Sequence, residues 1–342
     1  MNQTRRTLLK VMGATGGATA TGISVALTNE SARTAWHERR ANPDLPRGLT
    51  LGTIRVNDQW RLAAKTGRGV LDVVGAAQAL GIDVPNTIDE MFRGGGGSAV
   101  EAAVQKASTS DRARHYIRAA SELTFGPCLL EPEKILMVGY NYRKHIAEVK
   151  AQVPTEPVLF NKFNNALLGH GATVPLPTKV SREFDYEVEL VIVMGKTGRD
   201  IAEPDALSFV AGYCTGNDFS ARDLQRKSTQ FMLGKTSDGF APLGPWLVTA
   251  DQIPNPNSLG LSCHVNGERR QFSNTSDMLF SCAQIVSYIS RHMTLRPGDI
   301  VYTGTPEGVI QGYPPERRVW LKPGDQITCE VEKLGELRFA LG

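Results

Sequence analysis

Apolar and polar side chains alternate over the segment 186–194, a pattern that predicts a β-strand. Apolar residues occupy every second position from 188 to 194, and the side chains of a strand point alternately to its two faces. Glu187 and Glu189 lie two positions apart, so their carboxylates share one face of a largely apolar segment. Such neighbours repel each other unless a proton or a cation lies between them. The pair therefore predicts a site for a hard divalent cation, with a solvated strand face as the alternative.

Short apolar segments separated by Pro and Gly turns continue through most of the chain. The segment 135–138 predicts a strand, and the Pro-Gly turns at 297–298 and 323–324 each precede another one. Ser281 and Gln284 form a capping-box pattern that predicts the start of a helix. Frequent strands with few helices favour a β-rich α+β domain over a doubly wound sheet.

The region before this β-rich part has a different pattern. Segments 54–56 and 60–63 predict two short strands joined by a turn at Asn57-Asp58, and helical segments follow them. The predicted organisation is an export signal and linker at 1–46, a small N-terminal α/β domain at 47–130 and a larger catalytic domain at 131–342.

Composition and charge argue against several classes of protein. The 342-residue chain is 41% hydrophobic and 21% charged, which is typical of a globular domain. Its net charge of +3, without long Lys/Arg runs, argues against nucleic-acid binding. No segment beyond the N-terminus has the length and apolarity that predict a membrane span. The five cysteines form no Cys-x-x-Cys pair, so neither a disulfide framework nor a thiolate zinc site is expected.

The first residues resemble a twin-arginine export signal. Arg5 and Arg6 are followed by Leu8-Leu9-Lys10 and by a weakly apolar, Gly/Ala-rich run at 11–27. This pattern predicts a periplasmic or exported protein without stable membrane association after export. The alternative is a cytoplasmic protein with an ordinary basic N-terminus. Folding before export would also fit the absence of paired cysteines.

An ordered set of motifs resembles the fumarylacetoacetate hydrolase family and covers nearly all of 132–342. The resemblance implies an α+β fold, a mixed β-sandwich roll with a small N-terminal α/β domain, and usually a homodimer. The motifs are Val138-Gly139-Tyr140-Asn141-Tyr142 with His145 and Glu148, Phe160-Asn161-Lys162, Asp185-Tyr186-Glu187-Val188-Glu189-Leu190, Gly216-Asn217-Asp218-Phe219-Ser220-Ala221-Arg222-Asp223 with Gln225, Gly234-Lys235, Gly244-Pro245-Trp246, and Thr303-Gly304-Thr305-Pro306-Glu307-Gly308.

The resemblance also implies a divalent-metal site. Glu187, Glu189 and Asp218 match the two glutamates and the aspartate that bind the metal in the family. Asp218 follows the apolar segment 209–214, so it is expected at a strand end; a turn or cap residue is the alternative. Some family members provide a fourth carboxylate where Val138 stands here. We expect three protein carboxylates around Mg²⁺, with Mn²⁺ or Ca²⁺ as alternatives, and water or substrate oxygens completing the shell.

Two further residues match the pair that activates water in the family. His145 and Glu148 are three positions apart, so on a helix they share a face and can touch. A carboxylate beside an imidazole holds its tautomer, which a general base near neutral pH requires. A surface helix pair is the alternative. In the family this segment behaves as a lid.

Polar residues that surround the substrate in relatives also have counterparts here. Arg222 and Gln225 are expected to bind substrate, Arg222 through two parallel hydrogen bonds to a substrate carboxylate. Lys235 is expected to act as a catalytic residue that stabilises an oxyanion. Gly304 and Thr305 are expected to donate backbone and hydroxyl hydrogen bonds to a substrate carboxylate. Structural salt bridges and surface hydrogen bonds are the alternatives for these residues.

These groups together predict metal-dependent hydrolysis of a C–C bond in an acylpyruvate-like diketo acid. Water activated by His145 and Glu148 would attack the distal carbonyl, and the metal would stabilise the departing enolate. The leading alternatives are an isomerase, for example of the 2-hydroxyhepta-2,4-diene-1,7-dioate type, a tautomerase or a decarboxylase of 2-oxo acids. An exported protein that only binds oxo acids is a third class.

Overall fold

In the computed structural model, residues 42–342 are described and belong to one structural unit. The twin-arginine pattern lies outside the described residues. The helices are α1 Val73–Leu80, α2 Ile88–Gly94, α3 Gly97–Thr109, α4 Arg143–Glu148, α5 Arg222–Gln225, α6 Met232–Lys235 and α7 Cys282–His292. The strands are β1 Thr50–Val56, β2 Gln59–Thr66, β3 Gly69–Asp72, β4 Ile117–Arg118, β5 Ile135–Gly139, β6 Val158–Lys162, β7 Leu167–Leu168, β8 Thr173–Val174, β9 Phe184–Asp185, β10 Val188–Met194, β11 Val210–Asn217, β12 Ser220–Ala221, β13 Ala241–Pro242, β14 Trp246–Thr249, β15 Gly260–Val265, β16 Glu268–Asn274, β17 Ile300–Tyr302, β18 Gln326–Val331 and β19 Gly335–Leu341.

A ten-stranded mixed sheet forms the centre of the fold, in the order β4-β3-β2-β1-β14-β11-β10-β17-β5-β6. β10 lies between β11 and β17 and is buried over its whole length, as expected for a strand made almost entirely of aliphatic residues. Its pairing with β11 is antiparallel, with Val188 opposite Asn217. The start of β10 therefore lies beside the end of β11, and this junction positions the site described below.

A five-stranded sheet, in the order β16-β15-β18-β19-β8, packs against the central sheet. The strands β17 and β18 follow the two Pro-Gly turns, as the sequence predicted. The contacts of β10 and β11 with β15 and β18 close a core of aliphatic side chains. Two large sheets with few helices confirm the prediction of a β-rich α+β fold.

The N-terminal strands β1 to β4 extend the central sheet, because β1 pairs antiparallel with β14. The predicted turn between β1 and β2 is present, and Asn57 and Asp58 adopt φ angles of 48° and 60° there. α1 begins after its N-cap Asp72 and ends before Gly81, whose φ of 68° is in the left-handed region that favours glycine. The sheet continues across residue 130, so the proposed boundary between domains stays a prediction.

α7 begins with the predicted capping box. The Gln284 N–H donates to Ser281 Oγ at 3.2 Å, and the Ser281 N–H donates to Gln284 Oε1 at 2.9 Å. Ile285, Val286 and Ile289 are fully buried, so one face of the helix covers the core. All five cysteines are free and buried. Within residues 42–342, no helix is long and apolar enough to cross a membrane.

Candidate active site

Three carboxylates meet where β10 begins and β11 ends. Glu187 immediately precedes β10, Glu189 lies within it, and Asp218 immediately follows β11. The antiparallel pairing brings Asp218 beside Glu187, and the Asp218 N–H donates to the Glu187 carbonyl at 2.9 Å. The three side chains are buried, and one oxygen of each lies within 4.8 Å of the others. They are close enough to share one cation; the alternation pattern had placed Glu187 and Glu189 together, and the family resemblance had added Asp218.

Cationic side chains from α5, α6 and β6 surround two of these carboxylates. Lys235 Nζ lies 2.7 Å from both Glu187 Oε2 and Asp218 Oδ2. Arg222 Nη2 lies 2.7 Å from Glu187 Oε1, and Lys162 Nζ lies 2.7 Å from Asp218 Oδ1. All five side chains are almost inaccessible to solvent, so these ion pairs are screened far less than surface pairs.

Glu189 differs from its neighbours, because no Lys or Arg among the described residues forms an ion pair with it. Burial, together with the charges of Asp218 and Glu187, raises the pKa of Glu189 well above its ordinary value. Burial acts to raise the pKa of Glu187 as well, but Arg222 and Lys235 outweigh it and hold that pKa well below the ordinary value. Two carboxylates two positions apart are therefore expected in opposite protonation states when no metal is bound.

The buried charges explain this difference. The cluster contains the cations Lys162, Arg222 and Lys235 and the carboxylates Asp185, Glu187, Glu189 and Asp218. Three cations balance three carboxylates, so a proton on Glu189 makes the cluster neutral. A divalent cation beside Glu189 would replace that proton and leave an excess of positive charge. Such an excess favours an anionic substrate.

The donor set fits a hard divalent cation. Lys162 directs its hydrogen bonds to the carbonyls of Phe219 and Phe240, at 2.9 and 2.5 Å. Although its Nζ is close to Asp218 Oδ1, that oxygen therefore has no hydrogen-bond donor of good geometry. A buried carboxylate oxygen without a well-oriented hydrogen bond, close to Glu189, which has no cationic partner among the described residues, is a suitable ligand for Mg²⁺, Mn²⁺ or Ca²⁺. The same burial lowers the pKa of Lys162 to about 8, although Asp218 acts to raise it.

His145 and Glu148 lie on α4 and touch, as their spacing predicted. His145 is buried, and its Nδ1 lies 3.3 Å from Glu148 Oε2. The second oxygen of Glu148 accepts a hydrogen bond from the Gly308 N–H at 3.0 Å. A carboxylate at Nδ1 favours the tautomer with the proton on that nitrogen. Nε2 is then available to accept a proton from another molecule.

Arg222 and Gln225, expected to bind substrate, are engaged within the protein. Arg222 Nε donates to Asp185 Oδ2 at 2.9 Å, and Nη1 donates to Gln225 Oε1 at 3.0 Å. Together with the contact to Glu187, these bonds use all three nitrogens of the guanidinium group. Arg222 therefore fixes the charge and position of a carboxylate in the cluster, whether or not it also touches substrate.

Gly304 and Thr305 are engaged in a similar way. The Gly304 N–H donates to Glu189 Oε2 at 2.7 Å, so this donor is directed at a predicted metal ligand. Thr305 Oγ1 donates to the Val188 carbonyl at 3.0 Å and accepts from Gln271 Nε2 at 2.9 Å. This loop holds the start of β10 in place.

Most of the predicted site residues line one cavity. Tyr140 and Phe160 also contribute to its wall, and Val138 stands in it where some relatives have a carboxylate. Glu148 lies behind His145, and Gly304 lies behind Glu189. Eight of the ten predicted site residues line the cavity: His145, Glu187, Glu189, Asp218, Arg222, Gln225, Lys235 and Thr305.

Sequence reasoning missed two residues that support the site. Asp185 accepts hydrogen bonds from the N–H groups of Ile310 and Gln311 at 2.9 and 3.0 Å. It therefore connects Arg222 to the segment 310–311. Gln271 Oε1 accepts from the Val188 N–H at 3.0 Å. Asp185 belongs to the same family motif as Glu187 and lies two positions before it. That proximity could have indicated a role in the site. Gln271 lies on β16, outside every motif, and nothing in the sequence singled it out.

Comparisons with known proteins identify relatives of most of the described region. The profile of the fumarylacetoacetate hydrolase C-terminal domain matches residues 134–341. A mitochondrial oxaloacetate tautomerase of Bos taurus is 41% identical over 277 residues, which cover 80% of this chain and 84% of that protein. A fumarylacetoacetate hydrolase from Exiguobacterium antarcticum aligns with a TM-score of 0.71 and 30% identity over 86% of this chain and 99% of its own. A 2-hydroxyhepta-2,4-diene-1,7-dioate isomerase from Mycobacterium marinum aligns with a TM-score of 0.64 and 29% identity over 86% and 98%.

These relatives correct the location predicted from the N-terminus. The bovine relative and a rat counterpart are mitochondrial enzymes by name, so the prediction of a periplasmic or exported protein is wrong. Basic residues followed by small and apolar ones occur in more than one kind of N-terminal segment. The pair Arg5-Arg6 was therefore too little to fix a compartment.

Proposed function

The chain belongs to the fumarylacetoacetate hydrolase family, and from this we propose that it catalyses the metal-dependent keto–enol tautomerisation of a 2-oxo acid of the oxaloacetate type. The named activities of the bovine relative and of the Mycobacterium marinum structure support a proton shift over C–C hydrolysis. Both activities move a proton next to a 2-oxo acid group without breaking a C–C bond.

The observation that carries the proposal is that one imidazole and three carboxylates line the same cavity. His145 lines the same cavity as Glu187, Glu189 and Asp218, and its Nδ1 is directed at Glu148. A base and a cation site that line the same cavity can act on adjacent atoms of one substrate.

The residues can be assigned roles in this reaction. Glu187, Glu189 and Asp218 would hold Mg²⁺ or Mn²⁺, which supplies Lewis acidity at the 2-oxo group and makes the neighbouring C–H bond more acidic. His145 Nε2 removes the proton from that carbon, and the electron pair moves to the oxo oxygen. That oxygen then gains a proton, from His145 or from water, so the enol has the same atoms as the keto form. Lys235 keeps Glu187 ionised and forms an ion pair with Asp218.

Hydrolysis of an acylpyruvate is the second candidate. The contact between His145 and Glu148 favours it, because the same base could take a proton from water as that water attacks a distal carbonyl. The two reactions then differ in whether the base acts on carbon or on water.

An assay of enol absorbance separates these reactions. Oxaloacetate and a set of acylpyruvates would be followed in Mg²⁺, Mn²⁺ and EDTA, with the products identified by mass spectrometry. Tautomerisation predicts fast, metal-dependent approach to the keto–enol equilibrium of oxaloacetate with all of its carbon retained. A carboxylic acid plus pyruvate would establish hydrolysis, and CO₂ plus pyruvate would establish decarboxylation. Stoichiometric binding without turnover would contradict all three.

A further inference from the structure

We propose that Gly312 is a positioning residue for the general base, because only a residue without a side chain leaves room for Glu148 to reach His145. The proposal rests on the proposed role of His145 in proton transfer. Gly312 follows the two residues whose N–H groups bind Asp185, and no sequence motif included it.

The close approach of Glu148 to Gly312 is the basis of this proposal. A Cβ atom built on Gly312 would lie 2.2 Å from Glu148 Cδ, 2.5 Å from Cγ and 2.6 Å from Oε1. Distances this short require one of the two groups to move. The φ angle of Gly312 is not in the positive range, so an alanine there fits the backbone without strain. The side chain of Glu148 would move instead.

Movement of Glu148 would break both contacts that orient it. Its Oε1 accepts from the Gly308 N–H at 3.0 Å, and its Oε2 lies 3.3 Å from His145 Nδ1. The displaced atoms are the end of a flexible, partly exposed side chain, so the fold can accommodate the change. The His145 imidazole would lose the partner that keeps the proton on Nδ1, and Nε2 would less often be free to accept one.

The first test is Gly312→Ala, compared with Gly67→Ala. Gly67 is a matched control, since a Cβ there would meet nothing within 4 Å and its φ is not positive. Gly312→Ala is expected to lower kcat by about 10- to 100-fold, less than the loss of a general base, because the imidazole is disoriented but still present. KM should stay within about threefold, and the melting temperature within about 2 °C of wild type, as for most surface substitutions. Wild-type kcat in Gly312→Ala would overturn the proposal.

A double-mutant cycle with Glu148→Ala decides whether the effect passes through Glu148. Glu148→Ala removes Cγ and Cδ, and with them the clash. In that background Gly312→Ala should change kcat by less than about twofold, because residues that act through one contact are strongly non-additive. If Gly312→Ala lowered kcat by the same factor in both backgrounds, Gly312 would act by another route and the proposal would be wrong.

A measurement without substrate separates this proposal from the proposed reaction. ¹⁵N NMR of histidine-labelled protein reports which imidazole nitrogen carries the proton, and the signals of His145 are identified by their loss in His145→Ala. We expect the Nδ1–H tautomer in wild type and in Gly67→Ala, and a shift towards Nε2–H in Gly312→Ala. The same tautomer in all three proteins would overturn the positioning role. A clear shift together with no tautomerase activity would instead contradict only the proposed function.

Discussion

The two sides of the cavity are held in place by different forces. The carboxylate side belongs to the central sheet, where β10 and β11 pair along their length and buried ion pairs fix Glu187 and Asp218. The opposite side depends on α4, a helix of six residues, whose Arg143, Lys144 and Ala147 are exposed. There, Glu148 contacts both the imidazole of His145 and the Gly308 N–H.

This contrast indicates which steps each side controls. Rigid ligands favour the binding of a cation, because folding has already brought the carboxylates together against their mutual repulsion. The family resemblance predicts that the α4 segment moves as a lid, and regions that move have few buried contacts. We therefore expect changes on the sheet side to abolish metal binding, and changes on the lid side to slow proton transfer while metal binding continues.

The largest effect is expected for Glu189→Gln. The change keeps the shape of the side chain but removes the one predicted ligand without a cationic partner. Mg²⁺ affinity should fall on the order of 100-fold or more, and turnover about 1000-fold, because the metal supplies several kcal/mol of transition-state stabilisation. Isothermal titration calorimetry and the enol assay measure the two quantities. Glu330→Gln, an exposed change on β18, is the control, and full Mg²⁺ affinity in Glu189→Gln would contradict the site.

A smaller and more selective effect is expected for His145→Ala. Loss of the base should lower kcat by about 100-fold or more, whereas the dissociation constant of Mg²⁺ should stay within about threefold. Titration of metal into this variant, beside the exposed control His115→Ala, separates the two sides of the cavity. If His145→Ala lost the metal as well, the lid would take part in metal binding and the comparison would fail.

Local patterns in the sequence were sufficient to predict part of this arrangement. The alternation around Glu187 and Glu189 predicted a strand, and the apolar run before Asp218 predicted a strand end; both are present. The spacing of His145 and Glu148 predicted their contact. Each of these predictions depends on residues close in the chain, whose geometry follows from the period of a strand or a helix.

The sequence could not predict what depends on distant pairings. Lys162 contacts Asp218, 56 positions further on, although β6 is an edge strand of the central sheet and three strands separate it from β11. The roles expected for Lys235 and Arg222 concerned substrate, and the structure shows both in ion pairs with the carboxylates. The space that Gly312 leaves for Glu148 likewise depends on two segments far apart in the chain. Such contacts follow from topology, which no local period specifies.

The smallest expected effect is a dependence of metal binding on pH. Burial and the neighbouring carboxylates raise the pKa of Glu189 above its ordinary value of 4.5 in the metal-free protein. Between that value and the raised pKa, the folded protein holds a proton that the unfolded chain has released. The metal-free protein should therefore lose stability as pH rises through this window. A metal displaces the proton, so its apparent affinity should increase with pH, by up to about tenfold per pH unit.

The increase in melting temperature caused by Mg²⁺ measures this linkage. At equal Mg²⁺ concentration the increase should be larger at pH 8 than at pH 6, by about 3 °C for each tenfold gain in affinity. Without metal, Glu189→Gln should lose less stability than wild type between the two pH values, because glutamine has no proton to release. Equal Mg²⁺ effects at both pH values would mean that Glu189 is already ionised before the metal binds. The three buried cations would then face four carboxylate charges, so the carboxylate side of the cavity would carry a net negative charge before the metal binds.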